Sequence, residues 1–399
     1  MRKRVACVMG DIDLVRSLGL AGIPCAVVAR PGAAPRFSRF TRAVLEWADA
    51  WTRPEALVAT LVRFAAAQPE PPTLFYQEDR ELLLVSRHRD QLAPVFRFVA
   101  PDPSLVEALV DKAQFQLLAA RLGLPVPPAR QLRPGDQTAA AALDLRFPIV
   151  LKPLTRRTDQ WEPLGGSGKA LQVQNPAELS RLWPRLAAAN LELLAQELIP
   201  GPETRIESCH VYVDGDGEIV ASFTGQKIRT WPRHYGHSTA LTITDAPDVA
   251  ALGRELVSQL QLRGVAKFDF KRGPDGTLYL LEVNPRFTLW HYPGAVAGVN
   301  IPALVHGDLV GLPRPAIPRA RAGVTWCKVW SDVAAARESG VPLWKWMPWA
   351  LRCEAKRAVA WDDPLPLLVA GVWECARRAI ALVRGASAAA HAVNPVNAR

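Results

Sequence analysis

Residues 264–286, GVAKFDFKRGPDGTLYLLEVNPR, decide the fold. Phe268 and Phe270 alternate with Asp269 and Lys271, and alternation resumes from Leu280 to Asn284, the period of a strand whose two faces differ. Between the two runs, Pro274-Asp275-Gly276 is a turn signal, because proline presets φ and glycine takes the left-handed position. The stretch predicts a β-hairpin. Asp269 lies on one strand, and Glu282 and Asn284 share a face of the other, so pairing gathers three oxygen ligands. Mg2+ prefers such oxygens and takes one or two carboxylates from protein while substrate phosphates complete its shell. A wet hairpin face with stray acids has the same spacing. Here, however, Phe268, Phe270, Leu280, Leu281 and Val283 make the hairpin mostly apolar, a setting in which polar groups need partners.

The chain around this hairpin has 399 residues, room for two or three domains with sizeable cores. At 49% hydrophobic and 22% charged residues it is not a mainly disordered chain. A net charge of +10 suits an anionic partner such as a nucleotide, a nucleic acid or a membrane surface, but an arginine-, alanine- and proline-rich composition with no partner implied is the commoner source of such a charge. The six cysteines are scattered, with no CxxC and no His/Cys cluster at zinc spacing, as in a reducing compartment. Asp11 and Asp13 interrupt the N-terminal apolar run before a signal peptide could form, and no run reaches the roughly 20 apolar residues of a spanning helix. A cytoplasmic location is expected.

In chain order, apolar runs at Val5–Met9 and Cys25–Ala29 flank a helical pattern, a β-α-β signal, and a second unit follows in the helix-like Pro54–Ala67 and the strand Thr73–Tyr76. Gln77 to Asp79 then stand at a strand end, where open α/β sheets place ligand contacts. No GxGxxG is present, which disfavours a nicotinamide cofactor. DKAQFQLLAARLGLPVPP (111–128) is a helix stopped by Gly123, with Lys112 at its start. FPIVLKP (147–153) is an apolar strand whose Lys152, if inward, needs an anion. GGSGK (165–169) is either a nest of backbone N–H groups for phosphate or a flexible turn, and its spacing is not that of GxxxxGK[ST]. LLAQELIPGPE (193–203) is a buried strand entering a Pro-Gly turn. Strands at Cys209–Val213 and Ile219–Phe223, joined by the turn Asp214–Gly217, precede Gln226-Lys227-Ile228-Arg229. Arginine at 229 suits a bidentate grip on carboxylate or phosphate, and Lys227 is a point charge.

LLEVNPR, with an acidic residue one strand earlier, resembles the metal-binding hairpin of the ATP-grasp superfamily. The DK…F…GLPVP stretch, the lysine strand and the glycine loop are similar to that superfamily in the same order, as is the Ser38-Arg39 pair near the N-terminus. The Gln226–Arg229 segment with Pro232 and Gly236 resembles its carboxylate-amine ligase-like (D-aspartate ligase-like) branch. The resemblance implies an α/β ATP-grasp fold: a doubly wound domain over 1–110, a lid over 111–200, a metal and substrate subdomain over 201–315, and a helical extension over 316–399 rich in tryptophan. It implies ATP with phosphates on Lys112, Lys152, Gly165, Gly166, Ser167 and Gly168, adenine at the hinge Gln196, Glu197, Leu198 and Ile199, and ribose on Glu203. Mg2+ (or Mn2+) falls to Asp269, Glu282 and Asn284, and catalytic roles to Arg286, Arg229 and Lys227.

The implied reaction is ATP-dependent joining of a small carboxylate to an amine through an acyl-phosphate, with no nucleic acid involved. The alternatives are an ATP-grasp carboxylase, for which no biotin-carrier module is evident, and a non-catalytic nucleotide-binding protein docked to a membrane or partner by its tail. A peripheral membrane contact through that tail and a homodimer stay open. So does the part played by Lys267 and Lys271, which flank Asp269 and either compete with the metal or position a substrate anion.

Overall fold

The structure, a computed structural model, describes residues 4–134, 143–154, 158–165, 168–356, 362–366 and 368–369. Gly166, Ser167 and most of the apolar stretch Pro364–Val383, expected as a tail helix, lie outside the described residues, as do Trp361 and Trp373.

The N-terminal domain runs β1 (Ala6–Met9), α1 (Ile12–Leu20), β2 (Cys25–Val28), β3 (Thr41–Leu45), α2 (Pro54–Ala66), β4 (Thr73–Tyr76), α3 (Asp79–Arg87) and α4 (Arg89–Leu92). Its strands are parallel in the order β3-β2-β1-β4, and β1, β2 and β4 are buried along their whole length, which is why they read as continuous apolar runs. The carboxyl ends of β1 and β4 are drawn together where Gln77 Oε1 accepts from the Asp11 N–H at 2.7 Å. A Cβ at Gly10 would lie 2.7 Å from that oxygen, so only glycine allows the approach. Glu78 and Glu81 form a capping box that starts α3 and turns Asp79 toward the next domain.

Two helices, α5 (Pro103–Val110) and α6 (Lys112–Leu122), lead onward. The Asp111 side chain caps α6 by accepting from the N–H groups of Ala113 and Gln114, and Gly123 ends it at φ 65°. Lys112 is thereby fixed at the first position of the helix. The lid follows as β5 (Ala129–Leu132), β6 (Ile149–Pro153), α7 (Thr158–Gly165), β7 (Leu171–Val173), α8 (Pro176–Ala188) and β8 (Leu193–Glu197), an antiparallel sheet in the order β5-β8-β6-β7.

The largest sheet is built from β9 (Ile206–Val213), β10 (Ile219–Trp231), β11 (His237–Thr244), β12 (Gly264–Arg272) and β13 (Leu278–Asn284), with α9 (Pro247–Gln259) between β11 and β12. After it come α10 (His291–Val296), α11 (Ile301–Leu309), β14 (Thr325–Cys327), α12 (Val329–Glu338), α13 (Leu343–Arg352) and β15 (Ala355–Lys356). The order is β13-β12-β9-β10-β11-β14-β15. The period-2 alternation of β12 sorts its residues: Ala266, Phe268 and Phe270 enter the core beneath α9 and α6, while Val265 joins Tyr212, Phe223 and Leu241 in the core against α1, α10 and α11.

Three features differ from the sequence reading. Residues 219–231 form one strand rather than a strand and a separate segment, because pairing with β9 and then β11 continues through Arg229. The segment 294–311, which reads in sequence as one helix, is two, parted at Gly298 (φ 103°) and restarted by the Asn300 cap. The tail expected as helical also contributes β14 and β15 to the main sheet, strands of three and two residues, too short to show alternation in sequence. Among the described residues no helix is long and apolar enough to cross a membrane.

Buried carboxylates fasten the tail. Asp332 on α12 is fully buried and accepts from Arg229 on β10 (2.9 and 2.6 Å), from Thr239 Oγ1 (2.7 Å) and from Trp346 Nε1 (2.8 Å). Asp363 is held by Arg16 Nε (3.2 Å), Ser38 Oγ (2.8 Å) and the Arg39 N–H (2.8 Å) of the N-terminal domain. Removing one partner from a buried pair strands the other charge, at a cost of about 3–5 kcal/mol. Asp332→Ala should therefore lower the unfolding free energy by about that amount in urea titration. A loss under about 1 kcal/mol would show that the Arg229–Asp332 pair does not hold the tail to the sheet.

Candidate functional site

The hairpin of β12 and β13 forms as expected, with Lys267 opposite Asn284 and Asp269 opposite Glu282. Like charges directly across a ladder repel, so this pairing needs compensation. Lys267 Nζ lies 2.5 Å from Asp269 Oδ2, Ser208 Oγ of β9 donates to Asp269 Oδ1 at 2.9 Å, and Asn284 Nδ2 reaches Glu282 Oε1 at 3.2 Å. Burial alone would raise the Glu282 carboxyl, but the ammonium groups of Lys169 and Lys267 outweigh it and hold Glu282 well below the usual carboxylate range. The structure thus brings Asp269, Glu282 and Asn284 together on one face.

Arg286 ties this cluster to the N-terminal domain. Its guanidinium pairs with Asp79, donates to the Gln77 carbonyl at 2.7 Å and to Asn284 Oδ1 at 3.0 Å. The cleft beside it, open to solvent, is lined by Asp79, Lys112, Lys152, Leu281, Glu282 and Asn284 among others. Two of the expected phosphate ligands, Lys112 and Lys152, therefore stand on the same opening as two of the expected metal ligands.

Across the cleft, Lys152 on β6 donates to Gln196 Oε1 on β8 at 2.8 Å, and Lys112 Nζ donates to the Leu154 carbonyl at 3.0 Å. Burial pushes Lys152 and Lys169 each down to about 8, although Glu282 pulls both the other way. A lysine in this state gains from a bound anion. Gln196 Nε2 is buried without a partner, an orphan donor at the inner end of the hinge. Glu197 accepts the Arg146 N–H at 2.9 Å, and the Leu198 N–H donates to the Pro148 carbonyl at 3.0 Å, so the hinge strand is anchored to β6 up to Ile199, which is buried. Glu203 lies just past the Pro-Gly turn, within electrostatic reach of Lys152 and Lys271.

Other placements depart from the simple picture. Gly165 is the last residue of α7, and a Cβ there would meet the Trp161 ring at 2.3 Å, so packing already explains that glycine. Trp161 Nε1 donates to the Gly168 carbonyl at 2.8 Å, and the Lys169 N–H donates to the Tyr235 carbonyl at 2.8 Å, which joins Lys169 to the turn between β10 and β11. Arg229 is taken up by Asp332 and stacks 4.2 Å from the Trp349 ring, whereas Lys227 is close enough to Lys152, Lys169 and Lys271 to be felt by each. Lys271 Nζ donates to the carbonyls of Gly201 (2.8 Å) and Pro202 (2.9 Å), so of the two lysines flanking Asp269 only Lys267 pairs with it. Sequence reasoning passed over Lys169, although it closes the GGSGK stretch; its nearness to Glu282 depends on how lid and sheet close together. His234 and His237 are exposed.

Beneath Lys267 two buried histidines complete this face. His210 stacks on Phe223 (4.4 Å between centroids) and His291 lies 5.9 Å from it. Burial, then His291 and Lys267, keep His210 well below its ordinary value, and burial with Lys267 lowers His291 to about 4. In the unfolded chain His291 titrates near 6.5, so below that pH the unfolded state binds more protons. The stabilisation from a neutral His291 is full above about pH 6.5 and is lost as the pH falls toward about 4, a change of up to about 3 kcal/mol. Urea titrations between pH 7 and 4.5 should show this slope, reduced in His291→Asn; an unchanged slope would remove the assignment.

Among the described residues no cluster of three His, Cys, Asp or Glu is present that could hold a metal. Two carboxylates and an amide fit the Mg2+ pattern of few protein ligands completed by phosphates, and do not fit a closed structural zinc site.

Residues 191–329 match the profile of a family described as ATP-grasp in the biosynthetic pathway with Ter operon. The D-aspartate ligase of Enterococcus faecium (strain Aus0004) is 24% identical over 235 residues, 57% of this chain and 56% of that protein. The D-alanine--D-alanine ligase of Stutzerimonas stutzeri (strain A1501) is 27% identical over 188 residues, 44% of this chain and 54% of that protein. The chain thus spans about half the length of the curated relatives it matches. Among solved structures, biotin carboxylase from Campylobacter jejuni superposes with a TM-score of 0.61 at 15% identity, covering 81% of this chain and 74% of that one. The L-amino acid ligase from Bacillus licheniformis gives 0.57 at 16% identity, covering 77% and 74%.

Proposed function

We propose that the chain is an ATP-grasp protein, on its likeness to that family's profile and to the ligase relatives, and that it is an ATP-dependent ligase that joins a carboxylate to an amine. The observation that carries this reading is the facing pair Asp269 and Glu282 with Asn284, ringed by Lys152, Lys169 and Lys267 at the mouth of a cleft between lid and sheet. The D-aspartate ligase and D-alanine--D-alanine ligase relatives support the reaction class. Asp269, Glu282 and Asn284 would hold Mg2+ or Mn2+. Held there, the ion would supply neutralising positive charge for phosphoryl transfer.

The chain's own residues do the rest. Lys112, Lys152 and Lys169 converge on the ATP phosphates, with the loop ending at Gly168 beside them, and the hinge Gln196–Ile199 and Glu203 receive the nucleoside. The carboxylate substrate attacks the γ-phosphorus, giving an acyl-phosphate and ADP. The amine then attacks the acyl carbon, phosphate leaves, and the amine's proton passes to solvent or to that phosphate. Lys227 and Lys267 offset the negative charge of the transferred group, and Arg286, held on Asp79 and Asn284, fixes the wall against which the acid lies. No protein nucleophile is required, since positioning and preorganised charge carry such chemistry. Arg229, committed to Asp332, serves as a strut for the strand that presents Lys227.

Purified protein with ATP and Mg2+ is to be assayed for phosphate release against pools of carboxylic acids, bicarbonate included, and of amines. Release should require both an acid and an amine and fall at least 1000-fold in Glu282→Ala with the melting temperature kept. Nucleotide binding without release from any pool would refute the ligase, and release with bicarbonate alone would replace it by a carboxylase.

The Lys267–Asp269 contact adds a second expectation. The ammonium occupies the oxygen that a metal would use, so Lys267→Met should raise Mn2+ affinity of the nucleotide-free protein about tenfold, read from the free-Mn2+ electron paramagnetic resonance signal. Equal affinities would show that Lys267 does not compete for Asp269.

A further inference from the structure

Helix α13, Leu343-Trp-Lys-Trp-Met-Pro-Trp-Ala-Leu-Arg352, has three faces. At 100° per residue, Trp346, Trp349 and Ala350 share one arc, and these pack inward on Cys327, Ala336 and Cys353. Leu343, Met347, Leu351 and Trp344 fill the neighbouring arc, centred about 120° away, and stay exposed, by 41%, 56%, 62% and 69%. Lys345 and Arg352 lie along one boundary between the two, with Lys345 Nζ 5.0 Å from the Trp344 ring. Trp330, on α12, is also exposed, by 54%.

A contiguous apolar face of this kind is rare on a soluble protein unless something covers it. The arrangement is that of an interfacial helix: an apolar arc with tryptophan at its edge, a cationic margin and no acidic residue from Ser339 to Arg352. Long basic side chains can lie along the apolar arc and keep their charges at its rim. The inward arc is separately secured, because Trp346 Nε1 donates to the buried Asp332 and Trp349 carries the Arg229 guanidinium. The inner arc of α13 is thus held to the sheet, and among the described residues nothing covers its outer face.

We propose that the outer face of α13 docks this protein on the surface of an anionic lipid membrane, with Trp344, Met347 and Leu351 entering the headgroup boundary and Lys345 and Arg352 facing lipid phosphates. The partner is chosen by charge: the margin is cationic and the chain carries +10 overall, which an anionic surface complements and a second copy of the same cationic face does not. This inference is independent of the ligase reading.

The full 399-residue protein is to be sedimented with vesicles of phosphatidylcholine alone and of phosphatidylcholine with 30% phosphatidylglycerol, at low and physiological salt. Binding to the anionic vesicles should exceed that to neutral ones at least tenfold. It should fall at least tenfold in Trp344→Ser/Met347→Ser/Leu351→Ser, and should lose most of its salt dependence in Lys345→Glu/Arg352→Glu. These side chains are exposed, and circular dichroism checks the fold of each variant; the charge variant alone decides if the triple variant fails to fold. Equal binding by wild type and variants, or no binding at all, overturns the proposal. So does a concentration-dependent dimer by light scattering that the triple variant abolishes without vesicle binding, which would assign the face to a second copy.

Discussion

Two carboxylates facing each other on a mostly buried sheet set the terms for the rest of this molecule. Asp269 and Glu282 cannot both remain ionised there without positive charge close by, and the chain supplies it from three directions, with an amide donor from a fourth. Lys267 comes from the same strand, Asn284 from the partner strand, Lys169 from the lid, and Arg286 from the turn beyond the hairpin while gripping Asp79 of the N-terminal domain. The three layers of the fold therefore meet at one charge cluster. A site built this way is poised for a polyanion with its counter-ion, because lysines lowered by burial gain whatever the anion restores.

The same logic of buried charge governs the C-terminal region. Asp332 and Asp363 are each enclosed and each draws several donors, one set from the main sheet and one from the N-terminal domain. The region beyond residue 316 is in this way part of the sheet through β14 and β15, and its helix α13 is presented outward from a fixed base. Arg229 illustrates how a residue type suited to gripping a substrate carboxylate can be spent on a protein carboxylate instead.

Much of this was readable in the chain. The hairpin, the stop of α6 at Gly123, the lysine strand and the hinge rest on short-range patterns, and each formed where its pattern lay. The readings that needed revision depended on neighbours far away in sequence. Residues 226–229 are strand because β11 pairs with them; Gly165 is glycine because Trp161 lies on it; and Arg229 faces Asp332, 103 residues later. Lys169 sat in a quoted motif, yet its action on Glu282 exists only once its N–H joins the Tyr235 carbonyl.

What the sequence by itself determined is the local grammar: period-2 alternation placing Asp269, Glu282 and Asn284 on one face, glycine and proline ending elements, and lysines set in apolar strands. What only the tertiary structure decided is which charges meet. Electrostatic partners are selected by distance through a medium of low polarity, a quantity that no spacing along the chain encodes. Lys267 rather than Lys271 on Asp269, Asp332 rather than a substrate on Arg229, and the outward turn of Trp344 follow from packing across strands and helices that are neighbours only in the folded protein.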